Sequence, residues 1–470
     1  MIDKIKFGTD GWRAIIAKDF TVTNVARVAE ATAEWLLKKN KNTSVVLGHD
    51  CRFGGELFCE AVAKILCANG IKTHLAKDFV STPMISLGAV NLEADLGIII
   101  TASHNPPDYN GFKLKGAYGG PLLPAQVAEI EALIPEETSF TNLEKYSLDD
   151  FEKKGLLQKV NLEDMYIEHV KKNFDLDLIR NSKMKWAYDA MYGAGQNVME
   201  KLFPEITMLH CDYNPSFKGQ APEPIHKNLT EFSNLIKNSG NIDCGLVTDG
   251  DADRLGLYDS KGNFVDSHHI ILLLIHYLYK YKGMRGKVCT AFSTTPKVEK
   301  ICRHYNIPVE TVKIGFKWIC EIMIKEDVLL GGEESGGIAI KGHIPERDGI
   351  WIGLTLWEFM ARSGKSLNDL INEVYEITGP FSFERIDLHI KEEIKQRVLE
   401  NCKTGKYDSF GNYKVARVDD LDGYKYFFEN GDWLMIRASG TEPVLRTYAE
   451  SSTREKAFAI LKAGEQTLLN

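Results

Sequence analysis

The stretch DLGIIITASHNPPDYNGFKL, Asp95 to Leu114, decides how this chain is read. Gly97-Ile98-Ile99-Ile100 is an unbroken apolar run, too short for a helix and suited to a strand buried on both faces. It breaks at once into Ser103, His104 and Asn105, and two prolines then stop the chain. A buried strand that ends in a polar loop is the unit to look for elsewhere. Upstream, SVVLG (44–48) reads as a strand, GELFCEAVAKILCANG (55–70) as an amphipathic helix and IKTHLA (71–76) as another strand. Further on, MKWAYDA (184–190), ITMLHC (206–211) and DCGLVT (243–248) supply strands for a second region. KVCTAF (287–292), IPVETV (307–312) and DVLLGG (327–332) supply them for a third, with a helix from His268 between the two sets. Apolar strands alternating with helices predict mixed or largely parallel sheets covered on both faces. Ligands of such sheets bind beyond the carboxyl ends of the strands.

After Gly379-Pro380 the pattern changes. SFERIDLHI, YKYFFEN, DWLMIRA and VLRTYAE are strand-like, with helical patterns at 390–402 and 453–468. The expected architecture is therefore α/β: three similar α/β domains with mixed sheets and a smaller C-terminal α+β domain. The expected spans are 1–150, 151–256, 257–378 and 379–470. The polar stretch 135–160 is expected to join the first two domains, and Leu255–Ser260 the next two.

A chain of 470 residues is too long for one core, which agrees with several domains. Hydrophobic content of 44% and charged content of 26% belong to an ordinary globular protein. A net charge of -8 gives no electrostatic footprint for nucleic acid or an anionic membrane. The nine cysteines contain no CxxC pair, as in a reducing, cytoplasmic setting. No apolar leader opens the sequence, and its longest aliphatic run, from Ile270, is far too short to span a bilayer. Oligomeric state leaves no readable pattern.

Four polar loops carry the chemistry. In TASHNP, Ser103 falls at a strand end, and Lys113 returns a cation to the same neighbourhood; read alone, it is equally a Ser/Asn turn. In TDGDADR (248–254), Asp249, Asp251 and Asp253 alternate along what reads as an extended loop. Three carboxylates so close repel one another unless a divalent cation neutralises them, and hard oxygen ligands suit Mg²⁺. The EF-hand pattern fails, because Arg254 stands where glycine is required and Ser260 where glutamate is. A solvated acidic turn is the plainer alternative. In GGEESGG (331–337), Glu333 and Ser335 offer acceptors for sugar hydroxyls, although a glycine-rich turn with exposed glutamates reads equally well. In RASGTEP (437–443), Arg437, Ser439, Gly440 and Thr441 supply a guanidinium, two hydroxyls and backbone N–H groups, the kit of a phosphate nest. Arg446 adds a second fork; a β-turn with an incidental arginine is the alternative. No Gly-Lys pair completes a nucleoside-triphosphate loop.

In this order the four loops, preceded by FGTDGWR with its Arg13, resemble the α-D-phosphohexomutase family from Phe7 to Glu442. The resemblance implies four domains facing a central cleft. It implies that Ser103 is a phosphoserine, with Asp249, Asp251, Asp253 and a Ser103 oxygen as ligands of Mg²⁺. His104, Arg13, Lys113 and Arg254 would surround the phosphate. Glu333 and Ser335 would read sugar hydroxyls, and Arg437, Ser439, Gly440 and Thr441 would clamp the phosphate that is not transferred. Lys317 and Arg347 fall where the family places further basic contacts. Lys113 is expected to be the general base, its pKa lowered by neighbouring cations and partial burial, with His104 as the alternative.

The implied reaction interconverts hexose 1-phosphate and hexose 6-phosphate through a hexose 1,6-bisphosphate. Glucose is preferred and mannose second, since Glu334 and Gly337 depart from the GEMSGH of bifunctional enzymes and the GEQSGH of glucosamine enzymes. Phosphoglucosamine mutase and a metal-dependent sugar-phosphate phosphatase are the alternatives. A hinge near Gly379-Pro380 would let the clamp loosen between half-reactions.

Overall fold

The computed structural model describes residues 4–438 and 444–469. Four sheets follow one another along the chain. The first contains β1 (Trp12–Ile15), β2 (Ser44–His49), β3 (Lys72–Ala76), β4 (Leu96–Ile100), β5 (Tyr109–Gly116) and β6 (Leu157–Val160), in the order β1-β5-β4-β2-β3-β6. The second contains β7 (Trp186–Asp189), β8 (Thr207–Leu209), β9 (Cys244–Thr248), β10 (Leu255–Asp259) and β11 (Phe264–Val265), in the order β11-β10-β9-β7-β8. The third contains β12 (Lys287–Ala291), β13 (Val309–Val312), β14 (Val328–Gly332) and β15 (Ile338–Ile340), ordered β13-β12-β14-β15.

These three sheets share a device. Strands β4, β9 and β14 each lie parallel to a neighbour and are then followed by an antiparallel partner, β5, β10 and β15. The TASHNP, DGDADR and EESGG loops are the three reversals. Each lies at the carboxyl end of a buried parallel strand, the place where such sheets bind ligands. All five residues of β4, of β9 and of β14 are buried, as an apolar run covered on both faces requires.

Three expectations need correcting. Leu255–Ser260 is not a linker: Leu255–Asp259 is the buried strand β10, paired antiparallel to β9 along its whole length. Its LGLY core sits directly after a tight turn, and burial of that apolar run outweighs the polar character of what precedes it. The DGDADR segment is accordingly a turn rather than extended, with Ala252 at φ +55. Residues 157–160 lie past the expected boundary at 150, yet pair with β3 as the outer strand of the first sheet. The burial pattern of that strand, outer residues in and middle residues out, gives little periodic signal.

The fourth domain is an antiparallel sheet, ordered β16-β21-β20-β19-β18-β17. Its strands are β16 (Ser382–His389), β17 (Ser409–Phe410), β18 (Tyr413–Asp419), β19 (Tyr424–Phe428), β20 (Trp433–Ala438) and β21 (Val444–Ser451). The helices Glu392–Lys403 and Arg454–Leu469 complete it. A small cluster of Phe292, Trp433, Met435 and Tyr448 docks this sheet on the third domain. There the buried Lys425 ammonium donates to the carbonyls of Phe292 (3.2 Å) and Thr294 (2.9 Å). Among the described residues no helix is long and apolar enough to cross a membrane.

Candidate active site

Ser103 lies in the reversal after β4, is 1% exposed and has φ +53, the left-handed region that a non-glycine residue seldom enters. Its hydroxyl donates to Asp249 Oδ2 at 2.8 Å and lies 3.3 Å from His104 Nδ1. Gly250 makes this approach possible, since a Cβ there would sit 2.5 Å from the Ser103 carbonyl oxygen. The first and second domains therefore meet at the Ser103 hydroxyl.

Asp249, Asp251 and Asp253 are completely buried, and one ligand oxygen from each lies within 4.8 Å of the others. Burial, then repulsion from Asp251 and Asp253, pushes the Asp249 pKa well above its usual value. Asp251 is held low despite its burial, chiefly by the Lys113 ammonium and the Thr82 hydroxyl. Thr82 opens the helix Thr82–Asn91, and its hydroxyl donates to Asp251 Oδ2, so a helix N-terminus faces the carboxylate. Asp251 Oδ1 and Asp253 Oδ1 are buried without a hydrogen-bond partner. Orphaned carboxylate oxygens on hard-ligand residues fit a divalent cation, and the three aspartates are the residues that would hold it.

Lys113, on β5, is 1% exposed and surrounded by acids: Asp251 at 2.7 Å, Asp10 at 2.9 Å and Asp253 at 3.2 Å. Burial pulls its pKa down, but these carboxylates overcome it and the net shift is upward. The expected lowering by neighbouring cations is thus reversed in this arrangement, because acids distant in sequence pack closer than the arginines do. His104 shifts the other way. Burial, followed by Arg254, Arg13, Lys113 and Arg52, drives its pKa well below the usual imidazole value, so it is neutral beside Ser103.

The other cations close the ring. Arg13 donates to Asn105 Oδ1 at 2.7 Å, within the serine loop. The Arg254 backbone N–H donates to Asp249 Oδ1 at 3.1 Å, and its Nε lies 3.9 Å from Asp253. Arg347, from the third domain, reaches Asp10 at 2.6 Å and Asp253 at 2.8 Å, and thereby joins three domains at one guanidinium. Glu333 is buried, with Oε1 accepting the Gly315 N–H at 3.0 Å. Burial lifts its pKa to about 7, Arg347 opposing and Glu334 adding to the rise.

Four expected residues stand apart from this cluster. Ser335 is half-buried and, with Arg254 and Glu334, lines a cavity of about 710 Å³ between the second, third and fourth domains. Lys317 is half-buried and lines a smaller cavity of about 170 Å³ beside Asp10. Arg446 lies cross-strand from Arg437 on β21, with its Nε 4.0 Å from Asp387. Arg437 is the next-to-last residue of β20, with its Nε 3.5 Å from Asp422 Oδ1, and Asp422 Oδ2 accepts the Ile314 N–H at 2.8 Å. Ser439, Gly440 and Thr441 lie outside the described residues.

Sequence reasoning passed over Asp10 and Arg52. Asp10 was visible inside FGTDGWR, yet nothing in the motif says that it will face Lys113 and Arg347. Arg52, in HDCRFGG after SVVLG, carries the same strand-then-polar-loop signal as TASHNP.

Comparison with known proteins agrees along the whole chain. Four family models match in order: phosphoglucomutase/phosphomannomutase alpha/beta/alpha domain I (residues 4–141), domain II (164–262), domain III (266–377) and the C-terminal domain (393–463). The chain is 29% identical over 467 residues to a phosphoglucomutase/phosphomannomutase from Thermococcus kodakarensis, covering 98% of each. It is 30% identical over 468 residues to a phosphoglucosamine mutase from Methanocaldococcus jannaschii, covering 97% of each. A solved structure from Thermus thermophilus, provisionally named a phosphomannomutase, superposes with a TM-score of 0.88 at 32% identity, covering 100% of both chains.

Proposed function

Because this chain belongs to the phosphoglucomutase/phosphomannomutase family and is therefore an isomerase that moves a phosphoryl group within its substrate, we propose that it interconverts glucose 1-phosphate and glucose 6-phosphate, with mannose phosphates as second substrates. The observation that carries this reading is the Ser103 hydroxyl 2.8 Å from Asp249 in a buried cluster built by three domains. A serine used only for binding has no need of that environment.

In this reading Ser103 stores the phosphoryl group. Asp249, Asp251 and Asp253 hold Mg²⁺, which when bound withdraws charge from the phosphoryl oxygens. Arg13 and Arg254 face the same phosphate and stabilise its equatorial charge. The attacking hydroxyl loses its proton to one of two groups. His104 is neutral and adjacent, whereas Lys113 is held as an ammonium by three carboxylates and becomes a base only when those oxygens are engaged elsewhere. Glu333 and Ser335 accept sugar hydroxyls, Lys317 and Arg347 supply further positive charge, and Arg437 with Ser439, Gly440, Thr441 and Arg446 grips the distal phosphate. A hexose 1,6-bisphosphate carries a phosphate at each end, so one clamp and one hydroxyl reader serve both orientations.

A second reading, phosphoglucosamine mutase, is supported by the names of relatives from Methanocaldococcus jannaschii and Bacillus cereus, 30% and 28% identical. A coupled assay across glucose, mannose and glucosamine 1-phosphates, each with and without its 1,6-bisphosphate, separates the two. We expect the largest kcat/KM with glucose 1-phosphate; a dominant rate with glucosamine 1-phosphate selects the second reading. Inorganic phosphate released without 6-phosphate would mark a phosphatase and defeat both.

A further inference from the structure

We propose that Arg52, acting with Asp50 and Thr101, is the positioning unit that sets the direction in which Ser103 presents its oxygen. The inference rests on the phosphoserine reading above and adds residues that neither touch the sugar nor hold a cation in that reading.

Arg52 is 1% exposed; its two terminal nitrogens donate to the serine loop, and its guanidinium lies 5.0 Å from the centre of the Phe217 ring. Nη2 donates to the carbonyls of Ser103 (2.5 Å) and Asn105 (2.6 Å), while Nη1 donates to those of Pro106 (2.8 Å) and Tyr109 (3.1 Å). Its charge is met by Asp50, also buried, with Nε 3.4 Å from Oδ2. Asp50 takes the Arg52 backbone N–H on Oδ1 at 2.9 Å and the Thr101 hydroxyl on Oδ2 at 2.5 Å. The Thr101 oxygen in turn accepts the Ser103 N–H at 2.9 Å. Both peptide groups of the reacting serine, N–H on one side and C=O on the other, therefore end in one network that starts in the loop after β2.

This arrangement answers a physical problem. A non-glycine residue in the left-handed region is strained and persists only where its surroundings over-determine it. Holding the loop at both peptides keeps Ser103 Oγ on the line of transfer, where a small misplacement costs rate rather than affinity. Only a guanidinium fork spans four carbonyls at once; an ammonium carries three donors and no plane. The sugar and its distal phosphate are bound by other loops, so a fault in this unit shows in the chemical step.

The test uses full-length protein carrying phosphate on Ser103, with single-turnover transfer to glucose 1-phosphate measured beside the dissociation constant for that sugar. Arg52→Lys is expected to slow transfer about 100-fold while affinity changes less than about threefold. Thr101→Val, nearly isosteric, is expected to slow it about tenfold and decides the matter alone if Arg52→Lys yields no folded protein. Transfer within about threefold of the unsubstituted protein, or rate and affinity falling together, overturns the proposal. If the unsubstituted protein transfers nothing from Ser103 to glucose, mannose or glucosamine 1-phosphate, the phosphoserine reading fails first and this inference with it.

Discussion

The proposed transfer centre and the proposed phosphate clamp are built in opposite ways. Ser103, Asp249, Asp251, Asp253 and Lys113 are each at most 1% exposed; Ser103 donates a hydrogen bond to Asp249, and ion pairs from Lys113 and Arg347 to Asp251 and Asp253 tie three domains together. The side chains of Arg437 and Arg446, by contrast, are 23% and 32% exposed and meet their acids at 3.5 and 4.0 Å. Charges buried that deeply are costly unless matched, so the centre cannot rearrange cheaply. Charges at the clamp are wet and loosely paired, and they lose little by letting go. A reaction whose intermediate must turn around needs both: a fixed place for chemistry and a releasable place for recognition.

The contrast breaks first at Ser103. Ser103→Ala should lower kcat by about 10⁵-fold or more while glucose 1-phosphate still binds, as read by steady-state kinetics and calorimetry. Turnover near the parent rate removes the serine from the mechanism. Asp251→Asn comes next, with an expected loss of about 10²- to 10³-fold and of most of the dependence on added Mg²⁺. An unaltered response to Mg²⁺ would take the aspartates out of cation binding.

Stability should follow the same division. Lys115 and Glu346 form a completely buried pair at 2.7 Å that fastens the first domain to the third. Lys115→Met removes the nearer cation from buried Glu346, leaving it only Arg347 Nε at 3.5 Å, and should cost about 3–5 kcal/mol in urea unfolding. A cost below about 1 kcal/mol would place this interface in the same class as the exposed pairs of the fourth domain. At the clamp, Arg437→Ala should raise KM about 10- to 100-fold, the worth of a charge-assisted hydrogen bond, with kcat changed less than about threefold. Unchanged KM would remove Arg437 from phosphate binding.

How much of this was legible in the sequence follows the same line. Ser103 and the three aspartates stand at the ends of unbroken apolar runs, so local pattern singled out their loops, while only the ordered set of loops and the family resemblance suggested roles for them. The fourth domain was legible as well, since four strand-like runs follow Gly379-Pro380 with two helical patterns beside them. What local pattern does not contain is which residues meet. Lys113 and Asp251 are separated by 138 positions, so nothing near Lys113 announced the carboxylates that raise its pKa instead of lowering it. Asp10 and Arg347 are 337 positions apart, and Arg52 acts through backbone carbonyls, which have no letter in a sequence. The turn at 249–254 misled for a related reason: alternating acids mimic an extended segment, and only the burial of Leu255–Asp259 behind them reveals a reversal.

Glu333 lies on the boundary between the two regions, and pH tests its place. Burial raises its pKa to about 7, above the unfolded value of 4.5, with Arg347 pulling the other way. The sign follows directly. Folding favours the protonated acid, so this group costs stability as pH rises from the unfolded value toward 7, and the cost is constant above that. Binding runs the other way, because sugar hydroxyls donate to the carboxylate and favour its ionised form. The kcat/KM profile, which reports the free enzyme, should therefore climb a few-fold between about pH 6 and 8 and then level. A substrate phosphate titrates with a pKa near about 6, so the unsubstituted profile alone is ambiguous. Glu333→Gln keeps an acceptor and cannot ionise, so its profile should lose the inflection near pH 7 and retain only the lower one. If the same inflection survives in the glutamine variant, it does not arise from Glu333, and ionisation of Glu333 has no part in recognising the sugar.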